Sequence, residues 1–343
     1  MPAPDLTDAA RARLTELADY LDREGPGLTI DADVHPTDHD ALSPEIAERI
    51  ARDPGYYHTR PILSEELVPR MDQAGIDMAL CWQNPGVLTY GDDPDTNAER
   101  LTEANRRIAA LGRRHPERVI AAGWTDPKAL GLDNAIALAR RCVCEFGMPV
   151  VKMNPAQNAY PITDPMVLAV VDAIAGMGAV PAFHFGSDTP FTPTEGLVEI
   201  AERLGNHPVI GVHMGGGGGH FVTAEETYQS ARAAGLDHPN IFYVLSAKRD
   251  VHMESALIAY ADAGEPFCRN IAVASDAPYG NMLFNFGGFR ALFAALADGA
   301  SYPDPRLRAR PGLFGDPMIR GFMGGNLAGL VAAACRRVLD PAG

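Results

Sequence analysis

The stretch Ile30-Asp31-Ala32-Asp33-Val34-His35 sets the reading of this chain: a strand-like run that ends in two side chains able to bind a cation. Successive side chains of a strand alternate faces, so Asp33 and His35 leave the same face and converge at its end. A carboxylate oxygen and an imidazole nitrogen suit a borderline divalent metal such as zinc, manganese or iron better than calcium or magnesium. An isolated Asp-x-His also has a plainer reading, an Asx turn beside a surface histidine. The choice depends on whether other strand ends carry matching ligands.

The first run reads as a strand over 28–33, and further apolar runs follow at 76–81, 119–124, 149–153, 179–184, 209–213, 241–245 and 271–275. Each later run is followed by a loop and a segment of helical period. From the third run onward the starts recur about every 30 residues, the length of a strand, a crossover helix and two short loops. Asp133, Asp164, Thr194, Thr223 and Asp250 mark helix starts, because their side chains can cap free amides. Gly147, Gly178, Gly205 and Gly235 suit the left-handed position that follows a helix. Eight parallel strands alternating with helices close most economically into a (β/α)8 TIM barrel, with an open doubly wound sheet as the competitor.

In a barrel the C-terminal ends of all strands face one mouth. Here the runs end in Asp33 and His35, Lys152, His184, His213 and Asp276, and that convergence favours a metal site over the plainer reading. His115, His207 and His238 each precede proline and read as solvated turn residues. The chain reads as one barrel domain over 1–343, with a helical prelude at 1–27, a lid-like loop at 36–63 and a C-terminal helical extension at 281–343.

The formal net charge of -15 argues against nucleic acid or an anionic membrane as partner, since the surface as a whole repels phosphate. A small anionic substrate would need local basic groups. Candidates are Arg60 with Tyr57 on the long first loop, Lys152, Arg249 after the seventh strand, His220 after the glycine tract at 215–219, and Asn281 or Arg290 after the eighth strand. The tract itself reads as permissive backbone beside the site. The start of the sequence has no signal-peptide pattern, and no apolar run reaches a membrane span uninterrupted. The five cysteines are odd in number and scattered, as free thiols are in a reducing compartment. A soluble, cytoplasmic protein is expected.

The sequence resembles the amidohydrolase superfamily, and within it the branch of aminocarboxymuconate semialdehyde decarboxylase. The carriers are the 30–35 stretch, His184, His213-Met214-Gly215-Gly216, Ser275-Asp276-Ala277-Pro278 and Gly324-Gly325-Asn326-Leu327-Ala328. The resemblance implies a mononuclear site in which Asp33, His35, His184 and Asp276 hold one divalent ion, zinc foremost, with manganese or iron as alternatives. His213 stands beside it, and Asp276 and His213 are the catalytic pair. The family's usual His-x-His is here Asp-x-His, which adds negative charge around the metal. Some relatives bridge two metals through a lysine at the position of Lys152, an alternative to a substrate cation or a buried ion pair. The implied reaction is hydrolysis of an amide, lactone or similar bond of a small carboxylated substrate. The first alternative is non-oxidative decarboxylation of an aromatic or unsaturated acid, and the second a catalytically decayed metal-binding barrel. The resemblance also implies a homodimer.

Overall fold

Runs of Val, Ile, Leu and Ala that are apolar at every position, without alternation, belong to strands covered on both faces. In the computed structural model, which describes residues 4–42, 44–52, 61–186, 189–217, 225–246, 250–299 and 302–341, these runs are short strands buried throughout. They are β1 Ile30–Val34, β2 Met78–Cys81, β3 Val119–Ala121, β4 Gly123–Trp124, β5 Val150–Met153, β6 Val180–His184, β7 Val209–Val212, β8 Ile241–Leu245 and β9 Ile271–Val273. All neighbouring pairs are parallel, in the order β1-β2-β3 and β4-β5-β6-β7-β8-β9.

The two ladders form one closed surface. β3 and β4 are halves of one strand interrupted at Ala122, whose N–H donates to the Cys81 carbonyl at 2.9 Å. At the other edge Val34 forms a parallel bridge to Ala277, and the His35 N–H donates to the Ala277 carbonyl at 2.8 Å. Eight strand positions therefore close into a (β/α)8 TIM barrel, and the seam lies beside β1, next to the residues of interest.

Helices start where side chains satisfy the free amides of the first turn. Asp93 accepts from Thr96 N at 3.1 Å at the head of Pro94–Arg114, and Asp164 accepts from Met166 N at 2.8 Å before Pro165–Gly176. Gly178 and Gly205 take the expected positive φ of 84° and 61°. Gly235 departs from expectation, because it lies inside the helix Glu225–Asp237. A Cβ there would come within 2.6 Å of Tyr243 Cε2 and collide with the Tyr260 hydroxyl, so close packing accounts for the glycine. The lid-like loop is partly helical, with a 3-10 turn at His39–Ala41 and a helix at Pro44–Arg52.

The helix Asp8–Glu24 packs on Asn326–Leu339, and Arg336 pairs there with Asp19 and Asp22. The helical run Asp316–Leu339, 24 residues, is long and apolar enough by length and composition to cross a membrane. Half of its apolar window is buried inside the protein, as in a core helix of a soluble fold. All five cysteines are free thiols.

Candidate metal centre

Asp31, Asp33 and His35 occupy alternate positions of β1 and its end, and all three are buried. A buried carboxylate is costly unless donors surround it, and Asp33 is surrounded. Its Oδ1 accepts from the Trp82 indole Nε1 at 2.8 Å and from Lys152 Nζ at 3.3 Å, while Oδ2 accepts from Ser246 Oγ at 3.0 Å. Burial alone would raise its pKa. The Lys152 charge, with the His35 and His213 imidazoles, outweighs burial and holds the carboxyl well below its usual range. Lys152 is fully buried, its Nζ 4.6 Å from the ring centroid of Trp82 and 5.1 Å from that of Trp124, where the indole faces attract a cation.

His35 Nδ1 lies 2.9 Å from the Gln83 carbonyl. A carbonyl only accepts, so Nδ1 carries a proton and Nε2 of the neutral ring keeps its lone pair. That nitrogen stands 3.3 Å from Asp33 Oδ1 and 3.7 Å from Asp276 Oδ1. Burial first, and then the charge of Asp33, holds the Asp276 carboxyl well above the ordinary range in the metal-free protein. His213 and Asp276 have φ of 74° and 58°, left-handed values that side-chain-bearing residues seldom adopt and that cluster at functional sites.

Ligand-capable atoms of Asp33, His213 and Asp276 all lie within 4.8 Å of one another, and His35 Nε2 adjoins both carboxylates. Two carboxyl groups and two imidazoles brought this close are a donor set that suits a divalent cation. The residues therefore fit the metal that the sequence implies.

His184 is placed apart from that set. Its Nε2 donates to the Gly217 carbonyl at 2.6 Å, and its Nδ1 lies 3.2 Å from His213 Nε2. Of the two histidines, His213 is the one with a ring nitrogen within 4.8 Å of both carboxyls, and His184 touches that set through His213. Burial, followed by the influence of His213 and Lys152, pushes His184 well below the ordinary histidine range and keeps it neutral. Gly217 makes this possible: a Cβ there would lie 2.8 Å from His213 Cδ2 and 2.9 Å from His184 Nε2. His213 Nδ1 in turn lies 2.8 Å from Ser246 Oγ and 3.8 Å from Asp33 Oδ2.

Of the residues named for substrate contact, Lys152 is in a buried ion pair with Asp33. Tyr57, Arg60, His220 and Arg249 lie outside the described residues. Asn281 caps the helix Met282–Ala297 by accepting from Phe284 N at 3.0 Å. Arg290 Nη2 donates to the Ala74 and Gly75 carbonyls at 2.7 Å each, closing the end of the helix Leu67–Ala74.

Three residues of the site escaped the sequence reading. Trp82 and Ser246 directly follow the apolar runs of β2 and β8, so the rule that strand ends face the mouth, applied evenly, points to both. Asp31 shares the face of Asp33; its carboxylate accepts from Ser275 N at 2.8 Å and Ser275 Oγ at 2.5 Å, and burial raises its pKa to about 7.

Comparison with known proteins agrees with this architecture. The sequence profile described as amidohydrolase matches residues 30–277. Among solved structures, the chain is similar to an uncharacterized TIM-barrel protein from Bordetella bronchiseptica, with TM-score 0.60, 15% identity, and 89% of this chain and 99% of that chain covered. It is similar to 5-carboxyvanillate decarboxylase from Sphingomonas paucimobilis, with TM-score 0.59, 16% identity, and coverage of 88% and 98%. It is also similar to a dihydroxybenzoic acid decarboxylase from Polaromonas with bound manganese and the inhibitor 2-nitroresorcinol, with TM-score 0.57, 16% identity, and coverage of 88% and 96%.

Proposed function

The chain belongs to the amidohydrolase family of metal-dependent enzymes, and from that premise we propose that it catalyses the non-oxidative decarboxylation of a hydroxylated aromatic acid. What supports this reading is the pair Asp33 and Asp276, two buried carboxyls at one site with pKa values pushed in opposite directions, together with the similarity of the fold to decarboxylases of hydroxylated aromatic acids. Two carboxyls whose surroundings push their pKa values apart are suited to different roles. Hydrolysis, the leading expectation from sequence, asks Asp276 to begin as an acceptor of a proton from water. Decarboxylation asks it to deliver a proton to the ring carbon.

In the proposed reaction the bond between the ring carbon and the carboxylate breaks, and its electron pair stays on the ring carbon. That carbon takes the proton of Asp276 and carbon dioxide leaves; a proton from solvent then restores the acid. Asp33, fixed by Trp82 and Ser246, stays ionised and, after burial, contributes most to raising the Asp276 carboxyl. His35 stands edge-on to Trp124 and Tyr279, with ring centroids 6.1 Å and 5.8 Å away. Such aromatic surfaces suit a flat ring. Asp33, His35 and His213 would hold the ion, with the acid Asp276 beside it; when bound, the ion supplies Lewis acidity toward the substrate's carboxylate and a neighbouring oxygen. The carboxylate-rich donor set and the manganese bound by the Polaromonas enzyme support manganese ahead of zinc.

The test is turnover of a panel of hydroxybenzoates in D2O by the manganese-loaded protein, with amides and lactones run in parallel. Carbon dioxide release with one deuterium at the vacated ring carbon is expected, and Asp276→Asn should slow it about a thousandfold. Hydrolysis of an amide or lactone without any decarboxylation would overturn the proposal.

A further inference from the structure

We infer that Lys152 is a standing competitor of the metal: its ammonium neutralises Asp33 in the metal-free protein and so weakens the affinity of the site for a divalent ion. The inference rests on the reading of Asp33 as a metal ligand.

The Trp82 indole holds Oδ1 at 2.8 Å and the Ser246 hydroxyl holds Oδ2 at 3.0 Å. These two neutral donors, from the ends of β2 and β8, already orient the carboxylate. Lys152 Nζ, at 3.3 Å from Oδ1, adds charge to an orientation the others supply. The ammonium is fully buried between two indole rings, so neither solvent nor salt screens it effectively, and Asp33 is its ion-pair partner.

Two consequences share this origin. A divalent ion arriving at Asp33 meets a positive charge and a carboxylate that is already neutralised, and both lower its affinity. Without Lys152, Asp33 is a buried charge lacking a counterion until an ion binds. The metal-free fold should then be weakened, and the metal-bound fold much less so, because breaking one side of a buried pair is what destabilises. The same ammonium stands against a second ion and favours occupancy by one.

The test compares wild type with Lys152→Met, measuring Mn2+ affinity by competition with a chelator and melting with and without saturating Mn2+. We expect the Kd of the variant to fall about tenfold or more. Its melting temperature should drop in the metal-free state, with a smaller deficit when manganese is saturating. An unchanged or weaker affinity in a folded variant overturns the inference while leaving the metal reading intact. Wild-type protein that takes up neither Mn2+ nor Zn2+ overturns the metal reading and the inference with it. Should Met at 152 prevent folding, Lys152→Gln keeps an N–H donor near Asp33 without the charge, and its Kd decides the matter in the same direction. A merely structural lysine would change melting equally in both metal states and leave the Kd where it was.

Discussion

Replacing Asp31 by Asn should flatten the pH dependence of stability in the metal-free protein. Asp31 is fully buried, and its pKa is raised from 3.8 to about 7. Between those values the unfolded chain has lost the Asp31 proton while the folded chain keeps it. The folded state binds more protons, so stability falls as pH rises across this window. At about 1.4 kcal/mol per pH unit, the whole window is worth roughly 4 kcal/mol, of which roughly 3 kcal/mol falls between pH 5 and pH 7. Unfolding entropy of about 2 cal/mol/K per residue, over 343 residues, converts that to about 4 °C of melting temperature. Asn resembles the protonated acid: its carbonyl can accept from Ser275 N, and its amide can donate to Ser275 Oγ, which also accepts from Ala277 N at 3.1 Å. The assay is thermal melting of chelator-stripped wild type and Asp31→Asn at pH 5, 6, 7 and 8. The variant should gain on wild type by about 4 °C as pH rises from 5 to 7, and the gap should then level off. Parallel pH profiles for the two proteins would refute the assignment of a retained proton to Asp31.

Two further expectations separate the roles of individual residues. Ser246→Ala removes the hydroxyl that joins Asp33 Oδ2 to His213 Nδ1; Mn2+ affinity measured by chelator competition should weaken about tenfold, the scale on which residues orienting metal ligands act. Arg290→Ala removes two hydrogen bonds to the carbonyls that close a helix end; denaturant unfolding should show a loss of about 1–3 kcal/mol with KM for the aromatic acid unchanged, because this arginine is committed to structure.

The barrel was legible in the sequence for one physical reason. Strands covered on both faces lack alternation and stand out as continuous apolar runs, and β8 was read to the residue at 241–245. The metal face of β1 was legible because the two-residue period of a strand is geometric. Other features depend on distances that no local pattern carries. Lys152 and Asp33 are 119 positions apart, and whether that lysine meets a carboxylate or a substrate is decided by the closing of the barrel. The contact between His184 and His213 depends on the backbone of Gly217 lying against both rings. Arg290, read as a substrate contact, spends its guanidinium on carbonyls more than 200 positions earlier.

The same closure explains why one carboxylate dominates the site. Asp33 comes from β1, its indole donor from the end of β2, its cation from β5 and its hydroxyl from the end of β8. An open sheet would place β1 and β8 at distant positions, whereas the seam at Val34 and Ala277 sets them around one mouth. Three donors on one buried carboxylate let Asp33 remain ionised without water, and burial first, then the Asp33 charge, raises the Asp276 carboxyl a few ångströms away. The acid that the proposed reaction needs is thus a property of the closed barrel more than of Asp276 itself, whose carboxyl in water would have given up its proton near pH 4. Weakening the Trp82 or Ser246 donor should therefore act on Asp276, with which neither exchanges a hydrogen bond, whereas the Lys152 charge also lowers the Asp276 carboxyl directly.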